Sequence, residues 1–192
     1  GYQDGLVFME KVFKEDLKRD SKESYEILSL ISTGLLDLTK VGIELNFDFI
    51  KEIISHSHYD YPIIIIGQTG TGKQSVAKEI HRLSKRSKKP FENLNCVGLS
   101  ETLLESELFG HTKGAFTDAT ENKKGLLKAA DEGTVFLDEL GKMPEHMQAK
   151  LLKAIEEKEF HRKGDEKMTI IDVRFIAAAQ PDDLEKGKII PD

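Results

Sequence analysis

The sequence has little of what several common protein classes require. It contains one cysteine, Cys96, in 192 residues, so a single chain can close no internal disulfide and build no cysteine-based metal site. No apolar run approaches the length that spans a bilayer, the four isoleucines Ile63–Ile66 included. No charged-then-apolar leader opens the chain, and a cytoplasmic location without membrane contact is expected. Internal repeats and low-complexity tracts are missing. The net charge of −6 excludes a surface that is everywhere a nucleic-acid footprint.

What remains is a chain with 39% hydrophobic residues, enough to bury a core of ordinary domain size. Its organisation changes near residue 45. Before that point Tyr25, Leu28, Ile31, Leu35 and Leu38 recur at three- and four-residue steps and form one helical stripe, with Asp20 or Ser21 as its cap. Residues 1–45 therefore read as a helical segment for packing or dimerisation, and residues 46–192 as an α/β unit. Strands are expected over residues 61–66, 94–97, 134–137 and 173–178, and helices over 47–55, 73–83, 100–108 and 144–158. The isoleucine run suits a strand buried on both faces of a parallel sheet. Alternating elements imply crossover connections and a layered fold.

The motifs sit at the strand ends. Gly67-Gln68-Thr69-Gly70-Thr71-Gly72-Lys73 follows the isoleucine strand and opens a helix, the context in which G-x-x-x-x-G-K acts as a phosphate loop. Its glycines let several N–H groups point inward, and the helix adds its positive end. Lys73 would reach the β- and γ-phosphates of ATP. The Ser or Thr that usually follows the lysine and helps hold Mg²⁺ is Gln74 here, with Ser75 one residue later. The metal would then lean more on water and on a second motif. That motif is Gly133 to Glu139, an apolar strand ending in Asp138 and Glu139. At a strand's C-terminal end, Asp138 can hold Mg²⁺ through water while Glu139 polarises the attacking water.

Other clusters carry less. His56, His58 and Asp60 lie in a connector with no obvious third ligand. The basic run Lys85-Arg86-Ser87-Lys88-Lys89 reads as a solvated helix end before Pro90. Cys96 lies in an apolar stretch and reads as a buried reduced thiol.

From about residue 50 to residue 184 the chain resembles the central AAA+ domain of the bacterial enhancer-binding proteins, ATPases that activate RNA polymerase holding sigma-54. The most specific stretch is Glu105-Ser106-Glu107-Leu108-Phe109-Gly110-His111-Thr112-Lys113-Gly114-Ala115-Phe116-Thr117-Asp118-Ala119, similar to that family's ESELFGHxKGAFTGA. Pro90-Phe91, Asn95-Cys96, residues 151–156 and Asp172-Val173-Arg174 extend the match. The resemblance implies an AAA+ P-loop core with a parallel sheet flanked by helices, and a homo-oligomeric ring, usually a hexamer. It also implies ATP bound between subunits and a loop, with Gly114, Phe116 and Thr117 at its tip, that grips sigma-54 in the polymerase holoenzyme. By position Asn95 would be the switch that holds Glu139, Gln180 would stand at the sensor position usually held by Asn, and Arg162 would make subunit contacts. Asp118 replaces a usual glycine, and Ile190 takes the place of the first arginine finger. The lid and the DNA-binding domain of that family are expected to be absent from this stretch, so that DNA contact would come only through the absent part and hydrolysis by this piece would be weak. The rival reading is an ATP-responsive regulatory or assembly module that does not remodel sigma-54. A helicase or its loader is disfavoured by the GAFT loop.

Overall fold

A computed structural model describes residue 53 and residues 55–189. The helical stripe of residues 1–45 and the position of Ile190 lie outside the described residues, as does most of the helix expected over 47–55, of which residues 53 and 55 are helical. Four parallel strands form the central sheet: β1 (Ile63–Ile66), β2 (Phe91–Asn95), β5 (Thr134–Asp138) and β8 (Arg174–Ala179), in the order β1-β8-β5-β2. The helix α1 (Lys73–Arg82) covers one face, and α2 (Glu101–Phe109), α3 (Leu126–Ala129) and α4 (Glu145–Glu157) supply the other. A short helix α5 (Pro181–Glu185) follows β8.

The cores follow from strand alternation. Phe136 of β5 and Ile176 and Ala178 of β8 pack with Val76, Ala77 and Ile80 of α1. Their neighbours Val135, Leu137 and Phe175 join Leu104, Leu108, Met147 and Leu151 on the opposite face. Strand β5 is buried along Thr134 to Leu137, as a two-faced parallel strand should be. The isoleucine strand is not. Among the described residues it is an edge strand, and Ile64 and Ile66 are 47% and 43% exposed on the side away from α1, which departs from the expectation of burial on both faces. Strand β2 also begins earlier than expected, directly after Pro90, and ends at Asn95. There the side chain accepts the N–H of Val97 at 2.8 Å and turns the chain out of the sheet.

Two antiparallel pairs lie outside the central sheet: β3 (Gly110–His111) with β4 (Lys123–Lys124), and β6 (Glu159–His161) with β7 (Met168–Ile170). A bridge between His111 and Lys163 ties the two pairs together.

The end of the sheet remote from the strand C-termini is held by two arginines. Arg174 is 1% exposed and donates to the carbonyls of His56 and Ser57 at 2.6 and 3.0 Å. Arg86, expected in a solvated run, is instead pinned by Asp60 at 3.0 and 3.1 Å and by Asp172 at 2.7 Å, and it also donates to the Asp172 carbonyl at 3.0 Å. One planar fork thereby joins the entry to β1 with the entry to β8. The Arg86 hydrogen bond, more than the opposing effect of burial, holds the Asp60 carboxyl below its ordinary value.

Arg174→Met is expected to cost about 2–4 kcal/mol in urea denaturation, because the buried Ser57 carbonyl and the partly buried His56 carbonyl lose a donor. Asp60→Asn should cost about 1 kcal/mol or less at pH 7. Since the folded-state value is depressed, the wild-type advantage is present above the ordinary aspartate range and is lost as the pH falls through the folded value. Melting curves of the two proteins should converge in acid.

Candidate functional site

The parallel arrangement brings four strand ends to one edge. Ile66 lies opposite Ala179, Leu137 opposite Ala177, and Asn95 opposite Asp138. The loop after β1 and the carboxylates after β5 are therefore separated by β8 and not adjacent, a gap of about 10 Å at ordinary strand spacing. Gln180, the first residue past β8, stands between them.

The loop from Gly67 to Gly72 owes its shape to backbone freedom. Gly70 and Gly72 have φ of 82° and 83°, a region costly for other L-residues. Gly72 also caps α1, and no side chain satisfies the first donors of that helix, which stay available to an anion. Thr71 closes the turn by donating its hydroxyl to the Gln68 carbonyl at 2.8 Å. Lys73 is 7% exposed and folds back so that Nζ donates to the carbonyls of Gly67 and Gln68 at 2.9 and 3.0 Å. Among the described residues no carboxylate pairs with it. Gln74 is exposed and Ser75 half-buried. Beside the loop, a recess of about 560 Å³ wraps the edge of β1 and is lined by Ile53, His56, Ile63, Ile65, Val76 and Ile80 together with Gly67, Thr71 and Lys73, and its volume lies within the ordinary range for a small-molecule site.

Across β8, Asp138 accepts the N–H of Glu139 on Oδ1 at 3.0 Å, leaving Oδ2 open. Glu139 sits in the left-handed region, φ 56°, and starts the 3₁₀ turn Leu140–Lys142. That conformation is uncommon for a residue other than glycine and occurs where surrounding structure enforces it. Gln180 Nε2 donates to Glu139 Oε2 at 2.8 Å. The Asn95 side chain is exposed and engaged with its own turn at Val97. The structure thus brings Gln180, and not Asn95, onto the Glu139 carboxylate. Behind the carboxylates Cys96 is buried, and burial followed by the charges of Asp138 and Glu139 pushes its thiol up to about 12.

The loop after α2 is a separate region. Gly114 has φ 82° and donates to the Ala119 carbonyl at 2.8 Å. Thr117 and Asp118 are exposed, but Phe116 is half-buried. Its ring meets His111 edge-on at 4.9 Å, and the Lys163 ammonium lies 5.8 Å from its centroid. Lys163 also pairs with Glu105 at 2.7 Å, as does Lys150 at 2.7 Å. Burial opposes the charge of Glu105, but hydrogen bonds from Lys150 and Lys163 hold its carboxyl below the ordinary value. Arg162 is held within its own hairpin by Asp165 at 2.5 Å. The pairings of Lys163 with Glu105 and Phe116, and the contact of Asp183 with Gly141 described below, carried no signal in the sequence.

A model of the sigma-54 interaction domain matches residues 44–188. The chain belongs to that family. It is 39% identical over 182 residues to the Nif-specific regulatory protein of Azotobacter vinelandii, covering 93% of this chain and 33% of that protein. It is 51% identical over 120 residues to the regulatory protein AtoC of Escherichia coli K12, covering 62% of this chain and 26% of AtoC. The chain thus spans about a third or less of these relatives. Among solved structures, NtrX from Brucella abortus aligns with a TM-score of 0.68 at 31% identity, over 88% of this chain and 39% of that one. The NtrX structure in complex with ATP aligns at 0.67 and 28%, over 88% and 37%. The fold is accordingly the AAA+ P-loop type, and no helix among the described residues is long and apolar enough to cross a membrane.

Cys96 offers a direct check on this edge of the sheet, because it is the only thiol in the sequence. In the folded chain at pH 8 it should react with a thiol reagent about a thousandfold or more slowly than a free cysteine, and fully in urea. Rapid labelling of the folded chain would contradict the packing described.

Proposed function

We propose that this domain binds ATP with Mg²⁺ between the Gly67–Lys73 loop and Asp138, and hydrolyses it to ADP and phosphate with Glu139 as the base. The observation that carries this reading is Lys73, a buried ammonium satisfied, among the described residues, by carbonyl dipoles alone. On binding, Nζ exchanges the carbonyls of Gly67 and Gln68 for phosphate oxygens, and the free N–H groups of Gly72 to Ser75 complete the cradle. The apolar recess along β1 suits the base and sugar. The open Oδ2 of Asp138 would hold a cation through water, and such a cation would supply charge neutralisation for the phosphates. Glu139, anchored through Oε2 by Gln180, keeps Oε1 to accept a proton from the attacking water.

Membership of the family supports a second element: a homo-oligomeric assembly that couples this hydrolysis to sigma-54 within the polymerase holoenzyme through Gly114, Phe116 and Thr117. In that reading Asn95 leaves its turn at Val97 to hold Glu139 until the nucleotide state is right, and Phe116 leaves His111 and Lys163 to reach its partner. The half-burial of Phe116 favours the rival, an ATP-responsive module whose loop stays docked.

ATP affinity and phosphate release separate these elements. Lys73→Ala should weaken ATP binding about tenfold or more, while Glu139→Gln should keep affinity and lose turnover about a hundredfold or more. Turnover surviving in both variants would contradict the assignment. Turnover per chain that rises with protein concentration supports a site shared between subunits. Asp118→Gly should strengthen binding to sigma-54 if the loop engages it, and leave binding unchanged if the rival holds.

A further inference from the structure

We propose that Asp183 is a positioning residue for Glu139, acting through Gly141 and Lys142 from the same turn of α5 that carries Gln180. The inference rests on the hydrolytic reading above.

An acidic residue in the first turn of a helix ordinarily faces solvent or the free N–H groups there. Asp183 does neither. It is 1% exposed, and its carboxylate turns inward onto the 3₁₀ turn that begins at Glu139. Oδ1 receives Lys188 at 3.0 Å and Lys142 at 3.3 Å. Among the described residues Oδ2 is buried with no hydrogen-bond partner, an arrangement that packing must enforce because a buried acceptor without a donor is costly. Burial opposes the charge, but the two lysines hold the carboxyl below its ordinary value, so the group is an anion at neutral pH.

The enforcing contact is with Gly141. A Cβ at that position would lie 2.5 Å from both Cβ and Cγ of Asp183 and 2.7 Å from Oδ2. The missing side chain of Gly141 is what lets Asp183 seat against the backbone of the turn. That turn is short and closed, with the N–H of Lys142 donating to the Glu139 carbonyl at 2.9 Å. Pressure on residues 141 and 142 therefore sets the backbone that holds Glu139 at its positive φ.

The other end of the same device is Gln180. It precedes Asp183 by one helical turn, and the N–H of Asp183 donates to the Gln180 carbonyl at 3.0 Å. Helix α5 thus grips the segment from Glu139 to Lys142 at two points, the Glu139 carboxylate through Gln180 and the Gly141 backbone through Asp183. With the second point removed, only one hydrogen bond from a flexible side chain would orient the carboxylate. A displacement of about an ångström at a reacting group costs up to about a hundredfold in rate.

The test uses the full chain with Asp183→Asn, which keeps shape and removes charge, Gly141→Ala, which keeps Asp183 and denies it the seat, and the double variant. Five quantities are read: affinity for a fluorescent ATP analogue, KM and kcat for phosphate release, thermal stability, and exchange of the Gln180 side-chain amide protons by ¹⁵N NMR. The NMR signal is assigned by its loss in Gln180→Leu. Each single variant should lower kcat about tenfold or more with affinity and KM held within about twofold. Each should also speed Gln180 amide exchange several-fold, and the double variant should be no worse than the worse single one. Unchanged kcat and exchange in both variants, or affinity and KM failing in step with thermal stability, overturns the role and leaves a merely structural carboxylate. If Glu139→Gln retains wild-type turnover, or the wild-type chain has none, the hydrolytic reading itself fails. Normal turnover in the Asp183 and Gly141 variants beside a dead Glu139→Gln defeats only the present inference.

Discussion

The ammonium of Lys73 is the constraint on which the rest of this edge depends. A cation removed from water is costly unless it is paired, and among the described residues Lys73 meets only the carbonyls of Gly67 and Gln68. Two dipoles keep it in place without neutralising it. In the proposed reading the loop is shaped for an anion, and its own glycines at φ of 82° and 83° keep the backbone in that shape. Everything else at the edge is arranged around the same centre, from the uncapped start of α1 to the carboxylates across β8.

Sheet order determines how the two halves of the site communicate. Because β8 lies between β1 and β5, the residue that leaves it, Gln180, touches Glu139 directly. The N–H of Gly67 donates to the Ala179 carbonyl at 3.1 Å, so the loop and the carboxylate meet adjacent residues of one strand end. At the opposite end of the sheet Arg86 and Arg174 fix the entries to β1 and β8, so these strands resist sliding and their C-terminal ends keep their register.

Much of this was legible in the sequence because the signals are local. The phosphate loop between an apolar strand and a helix, the strand ending in Asp138 and Glu139, and the long helices were all visible within short windows, with boundaries displaced by a few residues. What was not legible depends on partners distant in sequence. The edge position of β1 among the described residues is a matter of strand order, which four isoleucines do not encode. Arg86 looked like one cation of a solvated run because Asp60 and Asp172 lie 26 and 86 positions away. Phe116 looked exposed because Lys163, from the β6–β7 turn, is remote in the chain. The two- and three-residue strands β3, β4, β6 and β7 are too short to carry a periodic signal. At the site, the resemblance pointed to Asn95 as the residue on Glu139. The longer side chain of Gln180 makes that contact here, while Asn95 is used to turn the chain after β2.

A structure of the chain with a non-hydrolysable ATP analogue and Mg²⁺ tests the central claim most directly. The account predicts Lys73 Nζ withdrawn from the carbonyls of Gly67 and Gln68 and bonded to phosphate oxygens, with the base along β1. A nucleotide bound elsewhere, with Lys73 still on its own loop, would contradict it.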